Sequence, residues 1–267
     1  MSVTPKKHLG QHFLKDLNIA QKIADSLTYQ DLDEVIEIGP GTGVLTKFVL
    51  QKNHKLSVFE VDSESVAYLK DDFSKENLSL NTSSDNFQIF EADFLKAQLD
   101  RLFSGKQVGI IGNYPYNISS QIVFKVLENR HMVKEFSGMF QKEVAQRIAE
   151  KKGSKTYGIL SVLTQAFYEV EYLFTVPPGV FNPPPKVDSG VIQCIRKKNH
   201  TLPVDEKLFF RVVKTAFNQR RKMLRSSLKS FNLSQSLKED PIFAKRPEQL
   251  SVEEFVSLTQ KIASNDV

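Results

Sequence analysis

The sequence is poor in residues that several classes of protein require. Its 267 residues include no tryptophan and one cysteine, Cys194, which cannot form an internal disulfide or a multi-cysteine metal site. The five histidines show no H-x-x-x-H or related spacing, so we expect no metal. No apolar run approaches the roughly 18–20 residues that cross a bilayer, and the basic start lacks the apolar segment of a signal peptide. We therefore expect a cytoplasmic protein in a reducing compartment, with no membrane partner.

Positive charge is concentrated in one segment of the chain. The formal net charge is +5, and Arg211–Lys229 holds seven Lys or Arg residues with no Asp or Glu. A local basic field of this kind favours a nucleic-acid partner. A solvated helix face would have the same composition, and the run alone does not separate the two interpretations.

Strand-like and helix-like segments alternate over the first two-thirds of the chain. Candidate strands are Glu34–Ile38, Lys55–Glu60, Phe87–Glu91, Gln107–Gly112, Phe136–Phe140, Tyr168–Thr175 and Val187–Ile195. Helical spacing fits Leu45–Leu50, Ser63–Phe73, Ile118–Asn129, Lys142–Ala149 and Tyr157–Phe167. The alternation predicts an α/β fold with a mainly parallel, seven-stranded sheet and helices on both faces.

Three further segments set the predicted domain organisation. Residues 75–86 are polar and are expected to form a surface loop, and Pro177–Asp188 contains five prolines that hold an extended chain. Arg196–Lys207 is expected to be a linker into a helical tail. We therefore predict a catalytic domain over residues 1–198 and a small, all-helical C-terminal domain over residues 199–267.

Three predicted strand ends carry groups suited to adenosine. The turn "EIGPGTG" has the spacing G-x-G-x-G, in which Gly39 and Gly41 let a ligand approach the backbone. Glu60 ends the next strand, 21 residues after Gly39, and suits ribose hydroxyls. Asp93 follows the third strand and can accept a hydrogen bond from an adenine amino group, although it could instead cap a short helix. There is no Walker lysine, and the set resembles the class I, Rossmann-like methyltransferases that bind S-adenosylmethionine.

The "NYPY" sequence, residues 113–116, follows the fourth predicted strand. It looks like the signature of methyltransferases that modify exocyclic amino groups of bases. The Asn113 side-chain oxygen and the Pro115 carbonyl could accept hydrogen bonds from an adenine amino group, and positioning would supply most of the rate gain. Tyr116 would stack on the extruded base. The other interpretation is an Asn-Pro turn with tyrosines that fill a core.

Six segments in order resemble the ribosomal RNA adenine dimethyltransferase family, which modifies small-subunit ribosomal RNA. They are "HLGQHFLKD" (8–16), "EIGPGTGVLT" (37–46), "NYPYNISS" (113–120), "FQKEVAQRI" (140–148), "VFNPPPKVDS" (180–189) and "AFNQRRKML" (216–224). The resemblance covers nearly the whole chain. It implies the transfer of four methyl groups, two onto each of two adjacent adenosines in a hairpin near the 3′ end of the RNA.

The resemblance also implies roles for individual residues. The family's cofactor contacts fall on Gln11, His12, Leu14, Gly39, Gly41, Glu60, Asp93 and Asn113. The stacking partner opposite Tyr116 falls on Phe181, in the proline-rich loop. Arg220, Arg221 and Lys222 are expected to contact RNA phosphates, which would make binding depend on salt.

Two residues depart from the family pattern, which usually reads Q-N-F-L and N-L/I-P-Y. His12 replaces the Asn of Q-N-F-L, and the effect on cofactor binding depends on whether the family's contact is made by the backbone or by the Asn side chain. Tyr114 stands at the Leu or Ile, and its side chain is expected to point into the sheet or along the helix. Neither change affects Asn113, Pro115 or Tyr116.

Three other functions are compatible with parts of the sequence. The related resistance methyltransferases modify an adenine of large-subunit RNA and share N-x-P-Y, but the "NPPPKVDS" and "AFNQRRKML" segments favour the small-subunit enzyme. An assembly factor with secondary catalysis is a second alternative, against which the intact Asn113, Glu60 and Asp93 argue. A small-molecule methyltransferase would leave the basic tail unexplained. We expect a monomer that acts on small-subunit RNA or on a precursor of the small subunit.

Overall fold

A computed structural model describes residues 3–77 and 86–264 of the chain. The strands are β1 (Phe13–Leu14), β2 (Glu34–Ile38), β3 (Lys55–Glu60), β4 (Phe87–Glu91), β5 (Val108–Asn113), β6 (Val133–Gln141), β7 (Tyr168–Val176), β8 (Phe181–Asn182) and β9 (Ser189–Arg196). The helices are α1 (Leu17–Ala24), α2 (Thr46–Leu50), α3 (Ser63–Tyr68), α4 (Ser74–Asn77), α5 (Leu99–Leu102), α6 (Ser119–Glu128), α7 (Lys142–Ala149), α8 (Ile159–Phe167), α9 (Glu206–Asn218), α10 (Leu224–Ser227), α11 (Gln235–Glu239) and α12 (Val252–Ala263).

Among the described residues, seven strands form one sheet in the order β4-β3-β2-β5-β6-β9-β7. The β4-β3, β3-β2, β2-β5 and β5-β6 pairs are parallel, whereas β6 and β9 are antiparallel. Every residue of β2 is buried, as expected for a central parallel strand covered on both faces. The predicted α/β class and the mainly parallel seven-stranded sheet are confirmed.

The strand register brings the predicted site to one edge of the sheet. Ile38 at the end of β2 pairs with Phe59 of β3 and with Gly112 of β5. Gly39, Glu60 and Asn113 therefore lie side by side at the carboxyl ends of these parallel strands. Ligands of open α/β sheets bind at this edge, where neighbouring connections diverge.

The turn after β2 depends on glycine. Gly39 and Gly41 have φ values of +67° and +55°, in the left-handed region that side chains with a Cβ disfavour. A Cβ at Gly41 would also lie 2.8 Å from the Phe13 ring. The glycine pattern of "EIGPGTG" thus serves both the tight turn and the close packing of the N-terminal segment.

Several predicted ends are shifted by one to three residues, as at β6, which begins at Val133 and not at Phe136, and two predicted segments differ in kind. The predicted helix Ser63–Phe73 is divided into α3 and a π-helical segment, Leu69–Phe73. The predicted polar loop begins as helix, because α4 continues to Asn77, and residues 78–85 lie outside the described part of the chain.

Two compact units make up the chain. The first comprises Met1–Ala145 and Glu171–Arg196, and the second comprises Gln146–Val170 and Lys197–Val267. Residues 146–170 therefore pack with the C-terminal helices, although the predicted division into residues 1–198 and 199–267 places them in the catalytic domain. The functional division itself stays a prediction.

An aromatic core holds the second unit together. The ring of Phe217 lies 5.8 Å from Phe255 and 6.1 Å from Tyr157, and Phe167 stacks on Phe210 at 6.1 Å. Capping starts the main helix of the tail, since the Asp205 carboxylate accepts from the Leu208 N–H at the beginning of α9.

Candidate active site

A cavity at the carboxyl ends of β2, β3 and β5 brings most of the predicted site residues together. Eight of them line it: Gln11, His12, Gly39, Gly41, Glu60, Asn113, Pro115 and Tyr116. Leu14, Asp93 and Phe181 do not line this cavity. The N-terminal segment contributes to its wall, since Gln11 and His12 come from the residues directly before β1.

The Asn113 side chain is oriented by the backbone of the N-terminal segment. Its amide nitrogen donates to the His12 carbonyl at 3.0 Å. The amide oxygen, Oδ1, is therefore the polar atom that the side chain can offer to a ligand. Asn113 ends β5, and the next residue is also held, because the Tyr114 N–H donates to the Met139 carbonyl at 3.1 Å. The position of this acceptor is set before any ligand binds.

Pro115 and Tyr116 continue the turn after β5. The Pro115 carbonyl accepts from the Ile118 N–H at 3.2 Å, and a second lone pair remains on that oxygen. The Tyr116 hydroxyl and the Ser189 hydroxyl are 2.6 Å apart. Burial raises the pKa of the Tyr116 phenol, against the opposing effect of the Ser189 hydrogen bond. Tyr116 is therefore a neutral ring held in place at its polar end.

Glu60 supports the glycine turn. One carboxylate oxygen accepts from the Gly41 N–H at 3.1 Å, and the other accepts from the N–H groups of Val61 and Asp62 at 2.8 and 2.9 Å. Burial raises the pKa of Glu60, and these backbone donors oppose the rise. The predicted ribose contact stays a prediction. What the structure shows is that this carboxylate braces the loop on which a nucleoside would rest.

Ion pairing holds the N-terminal segment against β3. The Lys6 ammonium contacts the Asp62 carboxylate, and the Gln11 amide donates to the same carboxylate at 3.3 Å. Burial alone would raise the pKa of Asp62, but the hydrogen bonds from Lys6, Gln11 and Ser65 outweigh it and lower the pKa. Gln11 therefore lines the cavity from a segment that its contacts with Asp62 hold in place.

Three residues with predicted site roles lie elsewhere. The Leu14 side chain is 5% exposed and belongs to the hydrophobic core. Phe181 is 1% exposed in the same core, because β8 pairs with β1 and turns the ring inward. The ring found on Tyr116 is instead that of His12, at 5.5 Å between centroids and 30° between planes. That Phe181 stacks on a base opposite Tyr116 stays a prediction.

Asp93 caps a short helix, as the alternative interpretation expected. Its Oδ1 accepts from the Leu95 N–H at 2.9 Å, at the start of the 3₁₀ turn Phe94–Lys96. The other oxygen lies 3.7 Å from the Lys96 ammonium. A contact between Asp93 and an adenine amino group stays a prediction.

Sequence reasoning missed Glu37, a buried carboxyl directly beneath the glycine turn. The residue is 1% exposed, and its Oε2 has no hydrogen-bond partner among the described residues. Burial, with a contribution from the negative charge of Glu60, raises the pKa of Glu37 to about 8. The available sequence signal was a glutamate between isoleucines in a predicted strand. At neutral pH this group is mainly protonated.

The Tyr114 side chain points into the sheet, which confirms one of the two predicted directions. It is 1% exposed, and its hydroxyl donates to the Ser137 carbonyl at 2.7 Å. A Cβ at Gly138 would lie 2.7 Å from the Tyr114 ring. The larger residue is therefore accommodated by the absence of a side chain on the neighbouring strand.

Cys194 is a buried core residue, and burial raises the pKa of its thiol.

The three predicted RNA contacts differ in their surroundings within the second unit. The Arg220 guanidinium donates to the carbonyls of Ser154 and Lys155, with 2.9 Å for the Ser154 bond, and lies 3.9 Å from a Glu248 oxygen. Arg221 and Lys222 are exposed. Arg220 thus ties two segments of this unit together, whereas the other two present their charges to solvent.

The cavity fits S-adenosylmethionine by the chemistry of its lining. Two glycines of the turn line the cavity, and a braced carboxylate ends the adjacent strand. Gly39, Gly41 and Glu60 would hold the nucleoside part, and Gln11 and His12 would close the cavity over it.

In the described ranges, 3–77 and 86–264, there is no group of three or more His, Cys, Asp or Glu side chains that could hold a metal. Within the same ranges no helix is long and apolar enough to cross a membrane.

Comparison with known proteins identifies the family of the chain. The model of the family described as "Ribosomal RNA adenine dimethylase" matches residues 3–263. A "Ribosomal RNA small subunit methyltransferase A" from Flavobacterium johnsoniae is 61% identical over 265 residues, covering 99% of this chain and 98% of the relative. A protein with the same name from Bacteroides thetaiotaomicron is 58% identical over 262 residues, covering 97% and 94%.

Two solved structures have the same fold as this chain. The crystal structure of a dimethyladenosine transferase from Plasmodium falciparum has a TM-score of 0.80 and 26% identity, covering 96% of this chain and 99% of the other. A 23S rRNA methyltransferase, ErmE, has a TM-score of 0.71 at 22% identity, covering 94% and 99%, and shows the shared fold alone. The chain belongs to the ribosomal RNA adenine dimethylase family, and its methyl donor is S-adenosylmethionine.

Proposed function

We propose that the protein dimethylates N6 of two adjacent adenosines in a hairpin near the 3′ end of small-subunit ribosomal RNA. The observation that carries this proposal is the hydrogen bond from the Asn113 amide nitrogen to the His12 carbonyl, which leaves Oδ1 as the acceptor beside Pro115 and Tyr116. The relatives named as small-subunit methyltransferases favour this RNA over the large-subunit alternative.

The residues after β5 can prepare a weak nucleophile. The lone pair of an adenine amino group is delocalised into the ring, so two acceptors that take its N–H bonds would favour a tetrahedral nitrogen. Asn113 Oδ1 would accept one N–H, and the free lone pair of the Pro115 carbonyl would accept the other. Bound S-adenosylmethionine supplies an electrophilic methyl group on a sulfonium. The protein's part is to hold the nitrogen in line, where positioning alone can contribute several orders of magnitude.

The surroundings of the two acceptors support base capture. Tyr116 presents a neutral ring that is held by Ser189, and stacking on such a ring contributes about 1–3 kcal/mol per base. The exposed Arg221 and Lys222 would add sequence-independent attraction to phosphates. We further propose that the enzyme acts as a monomer in the cytoplasm on a precursor of the small subunit.

The proposal is tested by methyl transfer to purified ribosomal subunits. Small and large subunits from a strain that lacks this activity are incubated with labelled S-adenosylmethionine and digested to nucleosides. We expect about four methyl groups per small subunit, recovered as dimethyladenosine, and none on the large subunit. Label on the large subunit would contradict the assignment, and binding to small subunits without transfer would indicate an assembly factor.

A further inference from the structure

The hydrogen bond that orients Asn113 comes from a segment outside the central sheet. The Asn113 amide nitrogen donates to the His12 carbonyl at 3.0 Å, so the placement of its Oδ1 depends on where the N-terminal segment lies. Three side chains, Lys6, Gln11 and Asp62, fasten that segment to the connection after β3, and we call them the clasp. We propose that the clasp positions the Asn113 acceptor by fixing the His12 carbonyl. This inference rests on the proposed function, in which Oδ1 accepts from the target amino group.

Gln11 uses both polar atoms of its side chain within the clasp. Its amide nitrogen donates to one oxygen of the Asp62 carboxylate at 3.3 Å, and its amide oxygen accepts from the Lys6 backbone N–H at 2.7 Å. The Lys6 ammonium contacts the other oxygen of the same carboxylate. A substitution at Gln11 therefore disrupts contacts inside the protein, whatever it does to a ligand in the cavity.

Asp62 is a firmly held point of attachment. The residue is 2% exposed, and its carboxylate accepts from the Glu64 N–H at 3.3 Å and from the Ser65 hydroxyl at 3.0 Å, at the start of α3. The Asp62 N–H donates to Glu60 at 2.9 Å, which joins the clasp to the carboxylate that braces the glycine turn. A buried carboxylate is unfavourable without donors, so we expect the clasp to stay closed.

His12 lies between the clasp and a second attachment. Directly after it, Phe13 pairs with Asn182 of β8, and the His12 ring itself lies 2.7 Å from the Pro183 carbonyl. Both contacts attach His12 to the proline-rich loop, whereas Gln11 attaches it to the connection after β3. The His12 carbonyl is thus located from two directions. Loss of the clasp would leave it to follow the loop, and Asn113 would follow the carbonyl.

The first part of the test measures methyl transfer. Single-turnover transfer to small subunits from a strain that lacks this activity is followed at saturating S-adenosylmethionine for the full-length wild type, Lys6→Ala, Lys6→Arg and Gln11→Ala. Lys6→Ala is also made in the Asn113→Ala protein. Particle affinity is measured by filter binding, and affinity for S-adenosylmethionine by titration calorimetry.

The second part observes the Asn113 side chain directly. Its side-chain amide resonance, identified by its absence from the Asn113→Ala spectrum, reports the hydrogen bond to the His12 carbonyl by NMR. The matched control for both parts is Lys52→Ala. It removes another ion pair of the first unit, with Asp25, and neither residue lines the cavity.

We expect Lys6→Ala and Gln11→Ala to lower the single-turnover rate about tenfold, since a shift of about 1 Å in a reacting group can cost on the order of a hundredfold. Particle affinity should stay within about twofold, because alignment is what is lost. Lys6→Arg should keep the rate within about threefold of the wild type, because a guanidinium can donate to the same carboxylate. Lys52→Ala should match the wild type.

The combined variant separates a positioning role from a general structural one. In the Asn113→Ala protein, Lys6→Ala should lower the rate by less than about twofold further, since residues that serve one shared function are not additive. The Asn113 amide resonance should move in Lys6→Ala and stay in place in Lys52→Ala.

An equal loss of rate from Lys6→Ala with and without the Asn113 side chain would overturn the proposal, because the two residues would then act independently. So would an unchanged rate at saturation with weaker S-adenosylmethionine binding, which would assign the clasp to the cofactor. If the wild type transfers no methyl groups to small subunits, the proposed function fails. In that case an Asn113 resonance that responds to Lys6→Ala still supports the clasp, and one that does not respond overturns it.

Discussion

Two pairs of carboxyl groups, one pair in each compact unit, have pKa values that are shifted in opposite directions. In the first unit burial raises the pKa values of Glu37 and Glu60 beneath the candidate site. In the second unit the Lys245 hydrogen bond lowers the pKa of Glu254 to about 2, and the Lys261 hydrogen bond lowers that of Asp240. Burial opposes the charge of the first pair, whereas lysines keep the second pair ionised, as Lys6 does for Asp62 in the first unit.

This difference matches two kinds of work. A buried, dry site acts through the placement of a few polar atoms, because electrostatic interactions are strong where water is excluded. A charged surface acts over a distance and is screened by salt. We therefore expect substitutions in the first unit to change turnover or pH dependence, and substitutions in the second to change the salt dependence of RNA binding.

The largest effect is expected for Asn113→Ala. The variant lacks the Oδ1 acceptor and the amide that donates to the His12 carbonyl, so the target nitrogen loses its alignment. We expect kcat for methyl transfer to fall on the order of a hundredfold or more. The measurement is single-turnover transfer to undermethylated small subunits.

Particle binding by Asn113→Ala should remain within about threefold of the wild type, since positioning rather than affinity is lost. Thermal unfolding checks that the fold is intact. Near-normal turnover would show that this side chain does not align the nucleophile. The first unit would then not act through the placement of this polar atom.

Glu37→Gln tests the buried carboxyl. Between the ordinary pKa of 4.5 and the raised value of about 8, the unfolded chain is ionised while the folded chain keeps its proton. The folded state then binds more protons, so the wild type loses stability as pH rises through this window, by up to about 1.4 kcal/mol per pH unit. The amide cannot ionise, so Glu37→Gln should not show this loss.

Urea unfolding at pH 5, 7 and 9 measures the difference between the two proteins. The free energy of unfolding of Glu37→Gln, relative to the wild type, should increase from pH 5 to pH 9. Subtraction cancels the groups that the two proteins share. Parallel stability curves would mean that Glu37 is not held neutral, and the contrast between buried and exposed carboxyls would disappear.

Much of the sheet could be predicted from the sequence, because its strands are short apolar runs bounded by turn residues. The predicted limits of β2, β3 and β4 agree with the structure. The glycine turn, Glu60 and Asn113 could be placed together for the same reason, since consecutive parallel strands end at one edge. Local pattern and chain order were sufficient there.

The environment of individual side chains could not be predicted in the same way. Phe181 lies within the proline-rich loop, and the sequence around it gives no sign that the pairing of β8 with β1 turns its ring into the core. Arg220 looks the same in sequence as Arg221, but only Arg220 finds the Ser154 and Lys155 carbonyls, more than 60 residues earlier in the chain. Such partners depend on contacts between segments far apart in the chain.

The smallest effect, and the one that separates neighbours, concerns these two arginines. Arg221→Ala combined with Lys222→Ala removes two exposed charges and should weaken particle binding about tenfold at about 0.1 M salt. The slope of log K against log salt should fall by about 1.4–1.8 in magnitude, the value for two phosphate contacts. Arg220→Ala should change the slope less and lower the free energy of unfolding by about 1–2 kcal/mol, because its hydrogen bonds to backbone carbonyls are lost.

Filter binding at several salt concentrations, together with urea unfolding, distinguishes the two variants. A slope unchanged in the Arg221→Ala, Lys222→Ala protein would remove these residues from the RNA interface. A larger slope change in Arg220→Ala than in the double variant would mean that its guanidinium leaves the Ser154 carbonyl to bind RNA. Either result would change which residues of the second unit are assigned to RNA binding.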